Sequence, residues 1–148
     1  MSQQRIRIDV NTLLQQLRSL EEYIASLQAA IDRVNSTLSI LYAGERALEE
    51  LRSGSVEALV DLDGGGVVYG KARIEGGDTK VVIHAGLDVY VEVPIEKALR
   101  IIRERQAEAS KVLDAYRREL VNAVATYQQL RGILEQAIRG AQGGQGSG

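Results

Sequence analysis

Two stretches of this chain set apolar residues alternately three and four positions apart, each for about 40 residues. The first passes through Ile6, Val10, Leu13, Leu17, Leu20, Ile24, Leu27, Ile31, Val34, Leu38 and Leu41. The second passes through Ile95, Leu99, Ile102, Gln106, Ala109, Leu113, Tyr116, Leu120, Ala123, Tyr127, Leu130, Leu134 and Ala137, with Gln106 its one clearly polar member. A 3.5-residue spacing held this long belongs to a left-handed coiled coil, because it keeps one stripe turned toward a partner helix. Such a seam exists to meet another helix, and each run has its partner on the same chain.

The first helix is expected to begin near Ile6–Val10 and to end by Arg52, with Gly54 as the left-handed residue that stops it. Its heptad phase reads as slipping after Leu41, where Gly44 falls near a seam position. The second should run from Ile95 to about Arg139, entered through Pro94, whose missing N–H costs nothing at a helix start. Each helix is then about 46 residues, roughly 70 Å at 1.5 Å per residue. Equal lengths joined at one end predict an antiparallel pair. Residues 140–148 are rich in Gly, Gln and Ser and read as a flexible tail.

Between the helices the period changes to two. Val56, Ala58, Val60 and Leu62 share one face of a strand, and Asp63-Gly64-Gly65-Gly66 forms a turn. Val68, Gly70, Ala72 and Ile74 follow on a second strand. Gly76-Gly77-Asp78 is another turn, leading to Val81, Ile83 and Ala85. Gly86 and Asp88 separate these from Val89, Val91 and Val93. Two successive hairpins are the simplest arrangement. The organisation is therefore residues 1–53 as one coiled-coil helix, 54–94 as two hairpins, 95–139 as the second helix and 140–148 as the tail.

About 40 residues of β-structure cannot bury enough surface to be robust alone, and the chain has no Trp, Phe or Cys to help. Both faces of the strands carry apolar residues: Leu59 opposes the Val56–Val60 face, Val67 and Tyr69 oppose Val68, and Val82 opposes Val81 and Ile83. Free faces and edges of this kind aggregate unless they are covered, either by the chain's own helix ends or by other subunits. Val56, Val60, Val68, Ile74, Val81, Ile83, Val89 and Val91 are the residues expected to meet other subunits.

Chemistry is hard to find in this sequence. The triple glycine lacks the Lys-Ser/Thr of a phosphate loop and leads into a strand. His84 has no Asp, Ser or Cys constellation near it in sequence, and one His without Cys makes no metal cluster. No enzyme activity, cofactor or metal is expected. A net charge of −2 argues against a general nucleic-acid binder. No apolar stretch approaches the roughly 20 residues of a membrane span and no signal peptide is visible, so the expected place is the cytoplasm. At the far ends of the helices, apolar residues lie off as well as on the seam. Ile6, Ile8, Val10, Leu14, Ile133, Leu134 and Ile138 are the candidates for a hydrophobic grip there.

The order helix, two hairpins, helix resembles the prefoldin family, in particular its archaeal α-type subunits. The likeness is strongest over Ala58-Leu59-Val60-Asp61-Leu62-Asp63-Gly64-Gly65-Gly66-Val67-Val68-Tyr69-Gly70-Lys71-Ala72, although Asp61 stands where the family often has proline. Lys80-Val81-Val82-Ile83-His84-Ala85-Gly86-Leu87-Asp88-Val89-Tyr90-Val91-Glu92 is similar to the family's second hairpin, with Ala85-Gly86-Leu87-Asp88 departing from the usual two-glycine turn. Pro94-Ile95-Glu96-Lys97-Ala98 resembles its entry to the second helix. The resemblance implies an α+β fold: a long antiparallel two-helix coiled coil whose central hairpins build an oligomeric β-barrel body of two α and four β subunits. It implies an ATP-independent holdase that captures unfolded clients at the coiled-coil tips and passes them to a group II chaperonin. The alternative is a structural, self-assembling relative whose hairpins merely join rods.

Overall fold

The computed structural model describes residues 9–145. The elements are α1 (Val10–Ser53), β1 (Val56–Asp61), β2 (Tyr69–Ile74), β3 (Lys80–Gly86), β4 (Val89–Pro94) and α2 (Ile95–Gln145). The strands make two separate antiparallel sheets, β1 with β2 and β3 with β4, as the two-hairpin reading requires. No helix among the described residues is long and apolar enough to cross a membrane. The chain divides into two compact units, one from Met1–Val34 with Val112–Gly148 and one from Asn35–Lys111.

In the first unit Asp9 caps the start of α1: its Oδ1 accepts from the Asn11 N–H at 3.0 Å and its Oδ2 accepts from the Thr12 hydroxyl at 3.0 Å. The first bond satisfies one of the backbone N–H donors that a helix start leaves open. Leu13, Leu17, Leu27, Leu113 and Ala123 are buried, and the seam residues between them are at least half-buried. Val10 is the only described seam residue that stays exposed. The Tyr23 hydroxyl reaches Glu119 and the Tyr127 hydroxyl reaches Glu21, so the helices run antiparallel.

α2 continues to Gln145, past the expected end near Arg139 and into the stretch read as a tail. A helical glycine costs only about 1 kcal/mol relative to alanine. Gly140 alone is therefore a weak stop, and Ala141, Gln142 and Gln145 are good helix formers.

In the second unit Leu48, Ile83, Val93, Ile95, Ala98 and Leu99 form one buried cluster, with Leu51, Val81, Ile101 and Ile102 packed against it. Leu99 is the largest side chain wholly withdrawn from solvent. Burying a leucine contributes about 1.5–3 kcal/mol, so this cluster anchors the second hairpin to both helices. Arg105 Nη2 adds a hydrogen bond of 2.6 Å to the His84 carbonyl.

Two local expectations change. The first-helix seam does not slip after Leu41: Glu45 lies four residues on, Leu48 three further, and the 4-3 alternation is intact. Glu45 is polar but occupies a seam position because Gln106 meets it there, with its amide donating to Glu45 Oε2 at 2.5 Å. Nor does Gly54 adopt a compact left-handed cap, for its φ is 156°. The Leu51 carbonyl is instead closed by the Gly54 N–H at 3.3 Å and by the Gly77 N–H, from the link between the hairpins, at 2.7 Å.

Candidate functional surfaces

The first hairpin pairs Val56 with Ile74, Ala58 with Ala72 and Val60 with Gly70, and the Leu62 N–H donates to the Val68 carbonyl at 2.9 Å. This register puts Val56, Ala58, Val60, Leu62, Val68 and Ile74 on one face, and Leu59, Tyr69, Lys71 and Arg73 on the other. Leu59 is 66% exposed and Val60 40%. Leu62, Val67, Val68, Tyr69 and Ile74 are exposed as well, and Val56 is half-buried. Apolar side chains thus remain uncovered on both faces of a two-stranded sheet, which is the pattern of an interaction surface rather than of scattered surface residues.

The loop at its end is held by its two carboxylates. Asp61 accepts from the N–H groups of Asp63, Gly64 and Gly66, and Asp63 from those of Gly65, Val67 and Val68. The Gly65 N–H foremost, then the Asp61 side chain, hold the Asp63 carboxyl down at about 2. Gly64 and Gly66 supply the positive φ values of 71° and 75° that this path needs. Asp61, where the resemblance would place proline, orders the loop by accepting hydrogen bonds.

The second hairpin differs. Val81 pairs with Val93 and Ile83 with Val91, and this face turns to the helices. Ile83 is only 8% exposed. Of the residues expected on the assembly surface, Ile83 thus belongs to the chain's own core with Leu48, Ala98 and Leu99, and Val81 is half-buried against that cluster. Val89 and Val91 remain exposed, as do Val82 and Tyr90 on the opposite face.

Sequence reasoning missed Leu87, which is 97% exposed at the turn of this hairpin. Leu87 and Asp88 have φ of 46° and 59°. The signal was present: two residues between paired strands call for a turn with two positive φ values. Ile40 on α1 and Val121 on α2 are also largely exposed apolar residues off the seam.

Of the helix-end candidates, Val10, Leu14, Ile133 and Ile138 are exposed, whereas Leu134 is a half-buried seam residue. Ile6 and Ile8 lie outside the described residues.

The family model for prefoldin subunits matches residues 10–140. The chain belongs to the prefoldin family. A prefoldin subunit alpha of Hyperthermus butylicus is 40% identical over 134 residues, covering 90% of this chain and 86% of that protein. One from Saccharolobus solfataricus is 34% identical over 141 residues, 95% of each. Among solved structures, a filamentous prefoldin from Methanocaldococcus jannaschii has a TM-score of 0.65 at 22% identity, covering 80% of this chain and 97% of that one, a likeness of fold. Prefoldin is a chaperone family, not an enzyme family, and membership implies assembly with other prefoldin subunits. In this prefoldin chain the first hairpin is thus bare on both faces, while the second is held by its own helices.

Proposed function

We propose that the chain is the α-type subunit of an ATP-independent holdase, joined through its hairpins to β-type partners as two α and four β subunits. In this reading residues 54–94 are the assembly body and the flanking helices are arms. Unfolded clients are held at the arm ends around Val10, Leu14, Ile133 and Ile138, with Ile6 and Ile8 contributing, and pass to a group II chaperonin in the cytoplasm. The observation that most supports it is the first hairpin, whose Leu59, Leu62, Val67 and Val68 stand in solvent in the single chain. Weak apolar contacts from several arms add through effective concentration, so no nucleotide is needed to hold a client.

The test is the mass of this chain mixed with a β-type prefoldin subunit, with suppression of client aggregation assayed on the same fractions. A complex of two plus four chains that suppresses aggregation is the expected result. A stable homo-oligomer with no mixed complex overturns it in favour of the second reading, a self-assembling scaffold. What favours that second reading is that the same uncovered hairpin would serve copies of this chain, and that the solved relative is described as filamentous.

A further inference from the structure

The sequence contains a single Asp-Gly dipeptide, Asp63-Gly64, in the loop between β1 and β2. An aspartate followed by glycine can rearrange its own main chain. The glycine nitrogen attacks the aspartyl side-chain carbon and a C–N bond forms. The carboxyl OH leaves as water with the amide proton, and a five-membered succinimide results. Water then opens that ring at either carbonyl. One opening restores aspartate; the other leaves isoaspartate, whose main chain runs through Cβ and Cγ and is one atom longer. Glycine permits the attack because no side chain shields its nitrogen, and nothing packs against Gly64 here.

Residues 61–69 are all exposed, so burial does not keep water from this dipeptide. Both reacting groups are nevertheless engaged, and by different partners. The Gly64 N–H, the nucleophile, donates to Asp61 Oδ1 at 3.0 Å. The Asp63 carboxylate, the electrophile, is taken up further along the loop. Its Oδ1 accepts from the N–H groups of Gly65 at 2.8 Å and Val67 at 3.4 Å, and its Oδ2 from that of Val68 at 2.9 Å. Ring closure must release the amide from Asp61 and swing the carboxyl away from its three donors. It also needs the neutral acid, because an ionised carboxylate has no OH to lose. The donors that hold the Asp63 carboxyl at about 2, the Gly65 N–H foremost, keep that acid scarce at neutral pH.

We infer that Asp63-Gly64 is a latent site of isoaspartate formation, and that Asp61 keeps it closed by holding the Gly64 amide away from the Asp63 carboxyl. Proline, which the resemblance places at position 61, has no side-chain acceptor and could not do this. The consequence falls on the hairpin whose apolar faces stand uncovered. An extra main-chain atom in this loop would displace the donors that Asp61 and Asp63 now bind and disturb the pairing of Asp61 with Tyr69. The inference does not depend on what that hairpin docks against.

The experiment ages the full chain at neutral pH and at a temperature where circular dichroism shows it folded. Isoaspartate at position 63 is counted by electron-transfer fragmentation mass spectrometry of a digest. A synthetic peptide of residues 59–68, aged alongside, gives the unprotected rate. The chain is expected to isomerise at least about tenfold more slowly than the peptide, since several hydrogen bonds must break first. Asp61→Ala is expected to isomerise about two- to tenfold faster than the parent, the effect of one net hydrogen bond. Asp61→Asn keeps an acceptor oxygen and is expected to stay near the parent rate. Ala58→Gly with Ala72→Gly weakens the strand pair while leaving both carboxylates in place, and should also stay slow. A chain that isomerises as fast as the peptide overturns the inference, as does an Asp61→Ala rate equal to the parent's. If the double glycine variant or Asp61→Asn is as fast as Asp61→Ala, the protection does not come from the Asp61 acceptor and the inference falls.

Discussion

The phenol of Tyr23 on α1 donates to Glu119 Oε2 on α2 at 2.7 Å, and Tyr127 on α2 returns the arrangement to Glu21 Oε1 on α1 at 2.8 Å. The two bonds cross the seam in opposite senses. Tyr127 is a seam residue and Tyr23 an exposed one beside Ile24, and each hydroxyl reaches a carboxylate that a heptad reading would assign to solvent. Each bond favours the protonated phenol, and lesser desolvation and the charge of the carboxylate act the same way, so both tyrosines are raised above their ordinary value.

Tyr23 and Tyr127 should therefore ionise late in an alkaline titration. The folded phenols keep their protons to higher pH than the unfolded ones. Their contribution to stability is thus complete below the unfolded value of about 10 and is lost as pH rises through the folded values. Ultraviolet titration of the phenolates should show a late-ionising group, reduced by one in Tyr23→Phe and by one in Tyr127→Phe. A late-ionising signal left unchanged in both variants would count against both bonds.

Gly76 is fixed by sterics. A Cβ there would run into the carbonyl oxygens of Leu51 and Gly54, both backbone atoms that cannot swing aside. The same link caps the end of α1 through the Gly77 N–H. Gly76→Ala should destabilise the chain by about 1–3 kcal/mol, the usual cost of overpacking, measured by urea unfolding. Gly77→Ala meets no atom but needs a φ of 75°, so it tests backbone strain separately. An unchanged midpoint in Gly76→Ala would show that the link is not pressed against the helix end.

The polar layer of Glu45 and Gln106 is expected to set register at a cost in stability. Arg103 extends it, with Nη2 at 3.2 Å from Glu49 Oε1 and Nε at 3.6 Å from Glu45 Oε1. Gln106→Leu alone removes the amide from Glu45 and should destabilise the chain by about 1–3 kcal/mol. Glu45→Leu with Gln106→Leu should recover that loss or exceed it, since an apolar pair commonly outperforms a buried polar one. The price is register: a single polar seam position specifies alignment. Amide NMR spectra of the double variant should show doubled resonances along the second unit, and a single sharp set would refute the register role.

Most of this arrangement was legible in the sequence. The 4-3 spacing located nearly every buried residue of the helices, because only seam positions can be covered when two helices pair. The glycine and aspartate turns located the hairpins. Glu45 was misread because an apolar pattern cannot recognise a polar residue whose partner, Gln106, lies 61 positions away. Nor does alternation along a strand say what covers a face. Val60 and Ile83 have the same sequence signature, and only the packing of Leu48, Ala98 and Leu99 on the second hairpin distinguishes them.

That difference gives the sharpest test of the division between the hairpins. Val60 is exposed, so Val60→Asp should leave the melting of the isolated chain within about 0.5 kcal/mol of the parent, as surface changes do. Ile83→Ala opens a hole among Leu48, Val93 and Leu99 and should cost about 2–5 kcal/mol. In the mixture with a β-type subunit the consequences separate. Val60→Asp brings a carboxylate into whatever covers the first hairpin, so the oligomer should fall apart although the chain stays folded. Ile83→Ala should weaken assembly only to the extent that it unfolds the chain, and lowering the temperature should restore it. Light-scattering masses and circular dichroism melts on the same samples give both readings. If Val60→Asp assembles like the parent, the first hairpin is not the docking surface. If Ile83→Ala melts like the parent, the second hairpin is not anchored by the helices.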